Sequence, residues 1–215
     1  MPARALPLLF VLSVLSSVAT AAERFALDPV HTRVMVAVDH AGYSKAIGTV
    51  SGSTGVLAFD PADWRQARLE ARVPLQQLDF GDPRWNQAVA AANLLDAGRN
   101  PEARFVSTHV EPVAADEAIV HGQLTLRGVS RPVALQVRMN ALKRHPMPPF
   151  RRTAGFSATA TVSRADFGID AWPSLIGDDV ELRIEAEAFA SRTARFSDEV
   201  VPTHPSATTP PADRP

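Results

Sequence analysis

Two runs of alternating residues meet at a short reversal between His121 and Met139, and this pairing constrains the chain more than any other feature. In the first arm Val120, Gly122, Leu124 and Leu126 fall on one face, with His121, Gln123, Thr125 and Arg127 on the other. A period of two is the pattern of a half-buried β-strand, because successive side chains of a strand point to opposite sides. Gly128 permits the tight reversal, and Pro132, which has no N–H, stands at the start of the returning arm where a ladder donor is least missed. The returning arm places Val133, Leu135, Val137 and Met139 inward and Gln136 and Arg138 outward.

The same period recurs along the chain. Phe25–Leu27 is a short strand ended by an Asp28-Pro29 turn, and in the next strand Val34, Val36, Val38 and His40 share a face. Strands around 47–50 and 56–60 flank the tract Ser51-Gly52-Ser53-Thr54-Gly55, where glycine marks a bulge, a barrel corner or a close ligand approach. Leu69, Ala71, Val73 and Leu75 supply another inward row, and strand patterns follow at 103–110 and 155–162. Over 179–188 the alternation is cleanest, with Val180, Leu182, Ile184 and Ala186 opposed by Glu181, Arg183, Glu185 and Glu187. One helix is predicted after Asp82-Pro83, an N-cap followed by proline at the first helical position, with Trp85, Ala88, Val89 and Ala92 at helical spacing and Gly98 placed to stop it. Such a helix suits the end of a barrel, and ordinary core packing explains it equally well.

Eight to ten short strands with one helix predict an all-β, antiparallel barrel or sandwich. A closed barrel of about eight strands is either filled by its own side chains or hollow enough for one ligand. Small inward residues such as Ala71, Gly122, Ala158, Ala160 and Ala186 leave volume, while Phe59, Phe105 and Phe156 are large enough to fill it. The pattern alone leaves both outcomes open.

With 46% hydrophobic and 21% charged residues, the 215-residue chain suits one globular domain, and a formal charge of -1 gives no reason to expect a nucleic-acid partner. Arg4, an apolar run from Leu8 to Val18 and Ala19-Thr20-Ala21 predict a cleaved signal peptide over residues 1–22. The absence of cysteine rules out disulfides, so a secreted chain of this kind is held by its core, with the bacterial periplasm as the expected compartment. The domain is expected over 23–190, followed by a disordered tail over 191–215 that is rich in Pro, Thr, Ala and Ser.

Signals for chemistry are sparse. The six histidines show no paired metal-ligand spacing, and there is no thiol, nucleophile elbow or glycine-rich phosphate loop, so no catalytic residue, metal or cofactor is expected. His31 and His40 flank one strand and could approach Asp166, which keeps an enzyme as the alternative class, although a structural role for both is preferred. Arg164 and Asp166 read as a structural ion pair or a turn-fixing pair. In the segment 143–152, Lys143, Arg144, Arg151 and Arg152 surround Met147 and Phe150, a composition that fits either transient contact with an anionic membrane surface or a solvated, proline-stiffened loop.

The central motif, Gly122-x-Leu-Thr-Leu-x-Gly128-Val-x-x-Pro132-Val133, resembles that of the YceI-like family of secreted, lipocalin-like, polyisoprenoid-binding proteins. Further matches run in order from Phe25 to Ala188. They are Asp28-Pro-Val-His31-Thr32, His40-Ala-Gly-Tyr-Ser44, Gly55 to Asp60, Pro101 with Phe105 and Ser107-Thr108, and Arg164-Ala-Asp166-Phe-Gly-Ile169. The resemblance implies an eight-stranded, antiparallel lipocalin-like barrel with one short helix, around an elongated apolar channel for an isoprenoid chain such as a quinone tail or polyprenyl lipid. A fatty acid or fatty amide is the alternative ligand, and family members can also pair edges as homodimers. On this basis the expected wall comprises Val34, Val36, Val38 and His40, then Val50, Leu57, Phe59 and Phe105. Leu124, Leu126, Phe156, Val162, Val180, Leu182 and Ile184 complete it. The chain departs from the family pattern at Val50 and Ser53, which replace aromatics beside the first hairpin, and at Ala88-Val89 and Leu94 near the helix. Loss of aromatic bulk there either widens the channel or changes what it holds.

Overall fold

The computed structural model describes residues 22–198, so all but the last residue of the expected signal peptide lies outside the described residues, as does the chain beyond 198. Its strands are β1 (Glu23–Leu27), β2 (Arg33–His40), β3 (Ser44–Val50), β4 (Thr54–Phe59), β5 (Arg68–Pro74) and β6 (Leu78–Asp79), then helix α1 (Pro83–Ala90). After the helix come β7 (Glu102–Pro112), β8 (Glu117–Leu126), β9 (Val129–Arg144), β10 (Arg152–Ser163) and β11 (Ile176–Ala190).

These segments form eight antiparallel staves, because the first three are each broken once. Pairing of the first two runs from Glu23↔Phe59 and Ala26↔Val56 to Val34↔Val50 and His40↔Ser44, with a two-residue shift of register across the break, so β1 with β2, and β3 with β4, form one long hairpin. The third stave is β5 with β6, pairing Thr54↔Arg72 and then Thr49↔Asp79. The breaks lie side by side: the Gly52 N–H donates to the Pro29 carbonyl at 3.1 Å, and Leu75–Gln77 forms a 3-10 turn in the third stave. At the first break Pro29 has no ladder donor, while the Asp28 carboxylate accepts the Val30 N–H at 2.9 Å, which turns the chain out of the sheet. From β7 on the staves follow one another as a simple meander, and β11 closes the ring on β1 through Phe25↔Ala190 and Leu27↔Ala188. The fold is thus a closed antiparallel eight-stranded barrel, not a sandwich. Its seam is built small: Ala154 and Ala188 face each other in register beside Phe25, and all three are fully buried.

The β8–β9 hairpin has the form its sequence announces. Leu126 pairs with Val129 across a two-residue turn in which Arg127 and Gly128 both have positive φ, 52° and 76°, the conformation that suits the right-handed twist of the arms. Gly122 serves a different purpose, since a Cβ there would come within 2.4 Å of the Phe105 ring that lies across it.

Two expected boundaries move. Helix α1 starts as predicted, with the Asp82 carboxylate accepting the Arg84 and Trp85 N–H groups at 2.8 and 3.2 Å, but it stops at Ala90 rather than near Gly98. Leu94 and Ala97 are buried, and the chain leaves the helix to seat them. The domain also extends past 190. Phe196 is 3% exposed, and the Ser197 N–H and hydroxyl both donate to Glu70, at 3.0 and 2.9 Å. The Arg68 guanidinium, 4.1 Å from the Phe196 ring centroid, bonds Asp198. A polar composition hid this anchor because one phenylalanine and one serine carry it.

Candidate functional site: an apolar cavity along the barrel axis

The inward rows of the staves enclose a cavity of about 500 Å³, within the roughly 300–1,000 Å³ usual for small-molecule sites. One end is plugged. There the turn Trp64–Gln66 folds the Trp64 ring against Phe59 and Phe156, with centroids 4.9 and 6.4 Å away and the rings edge-on, and Phe59 meets Phe156 at 5.5 Å. The other end is a mouth. Trp85, Trp172 and Leu175 line the cavity there and are also half-exposed. Trp85 rests on His40 and Phe80, with ring centroids 5.3 and 6.1 Å away.

Every expected wall residue stands on this cavity: Val34, Val36, Val38 and His40 from β2, Val50 from β3, Leu57 and Phe59 from β4, and Phe105 from β7. Leu124 and Leu126 follow from β8, Phe156 and Val162 from β10, and Val180, Leu182 and Ile184 from β11. The inward rows of β5 and β9 belong to the wall as well, through Leu69, Ala71 and Val73 and through Val133, Leu135 and Val137. Sequence periodicity marked those rows as inward without assigning them to a site. Trp64, Phe80, Trp172 and Leu175 were missed, because they sit in connections where no period reveals which way a side chain turns. At the departures from the family pattern, Val50, Ser53, Ala88, Val89 and Leu94 all line the cavity.

Arg164 fixes the loop beneath the mouth. It is 6% exposed and donates from Nε to the Gly177 carbonyl at 2.9 Å, from Nη1 to Ile169 and Ala171 at 2.7 and 2.9 Å, and from Nη2 to Ile176 at 2.9 Å. Of the two expected roles, ion pair or turn-fixing, Arg164 takes the second, and it does so through carbonyls rather than by pairing with Asp166. Nearby, the Asp178 carboxyl is held below its ordinary range by the Ser163 hydroxyl and the Ala165 N–H. Arg127 bonds the Gly168 and Ala92 carbonyls, tying this loop to the segment after α1.

His31 and His40 do not form a joint site. Strand β2 lies between them, roughly 23 Å of chain at the usual rise. His31 is paired with Asp28 at 2.8 Å, an interaction that raises the imidazole above its ordinary value. Burial pushes Asp28 upward, but the hydrogen bond from His31 and the backbone N–H groups of Val30 and His31 outweigh it and hold the carboxyl low. Glu187 brings its carboxylate into this group, so that donor atoms of Asp28, His31 and Glu187 lie within 4.8 Å of one another. No local spacing announces Glu187, which comes from β11. Asp166 stands in the Ala165–Phe167 turn, its N–H on Ser163 Oγ at 3.2 Å.

The basic segment 143–152 is at the plugged end, where β9 and β10 run past the barrel, and not at the mouth. Arg152 pairs with Glu23 at 2.5 Å and Arg151 lies 4.6 Å from the Phe189 ring, so two of its four cations serve the barrel wall.

A closed meander of eight staves, plugged at one end and open at the other around a lengthwise apolar cavity, defines a lipocalin-like barrel. The chain belongs to the YceI-like family, whose domain model matches residues 25–188. It is 32% identical over 139 residues to a UPF0312 protein of Pseudomonas savastanoi pv. phaseolicola, covering 65% of this chain and 71% of that one. Among solved structures it is similar to Burkholderia cenocepacia BcnA, with a TM-score of 0.67 and 23% identity over 75% of this chain and 98% of that one. A polyisoprenoid binding domain from Saccharophagus degradans superposes with a TM-score of 0.60 and 13% identity, over 78% of this chain and 98% of the domain.

Proposed function

We propose that the protein is a non-enzymatic periplasmic carrier that binds an isoprenoid or similar long-chain lipid in the barrel. The observation that carries this reading is the cavity itself: apolar rows from the staves around it line one axial space with a single plugged end and an open mouth. Such a wall offers burial and no reagent. At about 0.8 kcal/mol per buried methylene-sized group, each five-carbon isoprene unit would contribute up to roughly 3–4 kcal/mol before ordering costs. A few units therefore suffice for tight binding, and shape and length set selectivity. The binding of polyisoprenoid by the Saccharophagus degradans domain supports the same ligand class. Exchange would run through the mouth, so the half-exposed Trp85, Trp172 and Leu175, rather than the basic segment 143–152, would face the donor membrane.

The test is organic extraction and mass spectrometry of protein purified from periplasm without detergent, beside a Leu126→Arg variant that places a cation in the wall. A stoichiometric lipid present in the wild type and lost in the variant is the expected result. An empty wild-type barrel, or a lipid retained equally by both, would overturn the reading.

A further inference from the structure

A second group of side chains stands apart from the cavity, on the outer wall at the break between β1 and β2. Asp28 Oδ2 and His31 Nδ1 are 2.8 Å apart, and a Glu187 carboxylate oxygen completes a set whose donor atoms all lie within 4.8 Å of one another. The backbone holds the three together. The Glu187 carbonyl accepts the Asp28 N–H at 2.8 Å and the Thr32 hydroxyl at 3.3 Å. The loop bearing Asp28 and His31 is therefore fastened at both ends to the residue that bears the second carboxylate. Thr32 is 2% exposed, and its N–H donates to the Asp28 carbonyl at 2.9 Å. Asp28 Oδ1 accepts the Val30 N–H at 2.9 Å, which leaves Oδ2 for the group.

Fixing the loop does not account for Glu187. The pairing of Asp28 with His31 needs no third member, and a second carboxylate beside the first adds repulsion between like charges. Among the described residues the Glu187 carboxylate makes no hydrogen bond or salt bridge, and neither Arg33, whose charge reaches His31, nor Lys143 pairs with it. Space is present as well. His31 and Glu187 line a groove of about 280 Å³ on the outer wall, and Gly155, in register opposite Glu187, puts no side chain into it.

The donor set says what would fill that position. One imidazole nitrogen and two carboxylate oxygens, with no thiolate, suit a divalent first-row transition ion better than a soft ion, and the nitrogen disfavours Ca²⁺ and Mg²⁺, which take oxygen. Metal bonds of about 2.0–2.1 Å at roughly 90–110° put neighbouring ligand atoms about 2.8–3.4 Å apart, and the Asp28 to His31 spacing of 2.8 Å falls at the short end of that span. A metal would take the place of the proton those two atoms share. The exposed His31 ring swings to turn an in-line contact into that angle, and the Glu187 side chain closes its gap by rotating, with no bond of its own to break.

We propose that Asp28, His31 and Glu187 form a metal site on the outer wall that takes a divalent first-row transition ion such as Zn²⁺, with its remaining positions open to the groove. The site lies outside the barrel and is independent of what the cavity holds.

The experiment titrates the untagged, chelator-stripped full chain with Zn²⁺ alone at pH 7 by calorimetry, beside Ca²⁺. One Zn²⁺ per chain is expected, bound at least about tenfold more tightly than Ca²⁺. His31→Gln and Glu187→Gln should each weaken Zn²⁺ by at least about tenfold, the cost of losing even an outer partner of a metal ligand. His121→Gln is the control, because His121 stacks on His109 and approaches Glu111 at 3.6 Å, the other place where histidine and carboxylate meet. It should leave the binding unchanged. Zn²⁺ no tighter than Ca²⁺, or an affinity indifferent to His31→Gln and Glu187→Gln, would overturn the site, as would loss of binding in His121→Gln alone. Should a variant not fold, paramagnetic broadening of amide signals by Co²⁺ locates the ion on the wild type. Broadening centred on Asp28, His31 and Glu187 supports the site, and broadening centred on His109 and His121 overturns it.

Discussion

Replacing Arg164 tests whether one side chain organises the mouth of the cavity. Its four N–H···O=C bonds reach the carbonyls of Ile169, Ala171, Ile176 and Gly177, which span the whole loop from the Ala165–Phe167 turn to the start of β11. A hydrogen bond involving a charged group is worth about 1.5–3 kcal/mol, so a simple sum would approach the stability of an entire domain. That sum overshoots, because the bonds share one guanidinium whose desolvation opposes them. Breaking a buried charged network typically costs about 3–5 kcal/mol. We expect Arg164→Met to lose about 4 kcal/mol, which for a chain of this size lowers the melting temperature by roughly 8–16 °C. Arg164→Lys should recover no more than half, since an ammonium is a compact donor that cannot span carbonyls a planar fork reaches together. Urea denaturation of the ligand-free protein at pH 7 measures both losses, as lower midpoints with an unchanged slope. A loss below about 1 kcal/mol for the Met variant, or a Lys variant equal to wild type, would refute the assignment of the loop to this residue.

Two further outcomes follow from the segment after β11. Burial pushes the Glu70 carboxyl up, but the Ser197 N–H and hydroxyl and the Arg104 guanidinium outweigh it, so the folded protein holds this group below its ordinary 4.5. A carboxyl depressed on folding contributes stability that is present above the unfolded value and lost as pH falls through the folded one. Stability should therefore decline below about pH 4.5, and a denaturation series in Glu70→Gln should show a shallower acid limb; an identical limb would place the titration elsewhere. Ending the chain at Ala190 removes Phe196 from under Arg68 and strips Glu70 of Ser197, so a loss of about 2–3 kcal/mol is expected from the phenylalanine alone. An unchanged melting temperature would show that this segment lies outside the cooperative unit.

The alternation of Val120 to Leu126 and of Val133 to Val137 was legible because a strand with one buried face leaves little freedom in which residues turn inward. Position along the axis was not legible. Whether Phe59, Phe105 and Phe156 fill the barrel or leave it hollow depends on the stagger between staves, which is a property of closure rather than of any one strand. The same limit hid Glu187 beside Asp28 and His31, and the eleven strand segments gave no sign that their breaks at 28–32, 51–53 and 75–77 would align. Connections were harder still. Trp64, Trp172 and Leu175 shape both ends of the cavity from turns, where the direction of a side chain is set by tertiary contacts such as those of Arg164.

Stagger is also what reconciles bulky residues with an open interior. Phe59, Trp64 and Phe156 converge at one end, so their volume closes the barrel there instead of occupying its length. Above them the wall is made mainly of Val, Leu, Ile and Ala on β2, β5 and β11, with Gly122 making room for the Phe105 ring of the neighbouring strand. A sealed empty cavity of about 500 Å³, at roughly 24 cal/mol per Å³, would cost about 12 kcal/mol, as much as a typical domain has. The mouth removes that requirement by letting the space fill with water or ligand. Water against an apolar wall is readily displaced, so the device that keeps the ligand-free barrel stable is the one that favours its loading.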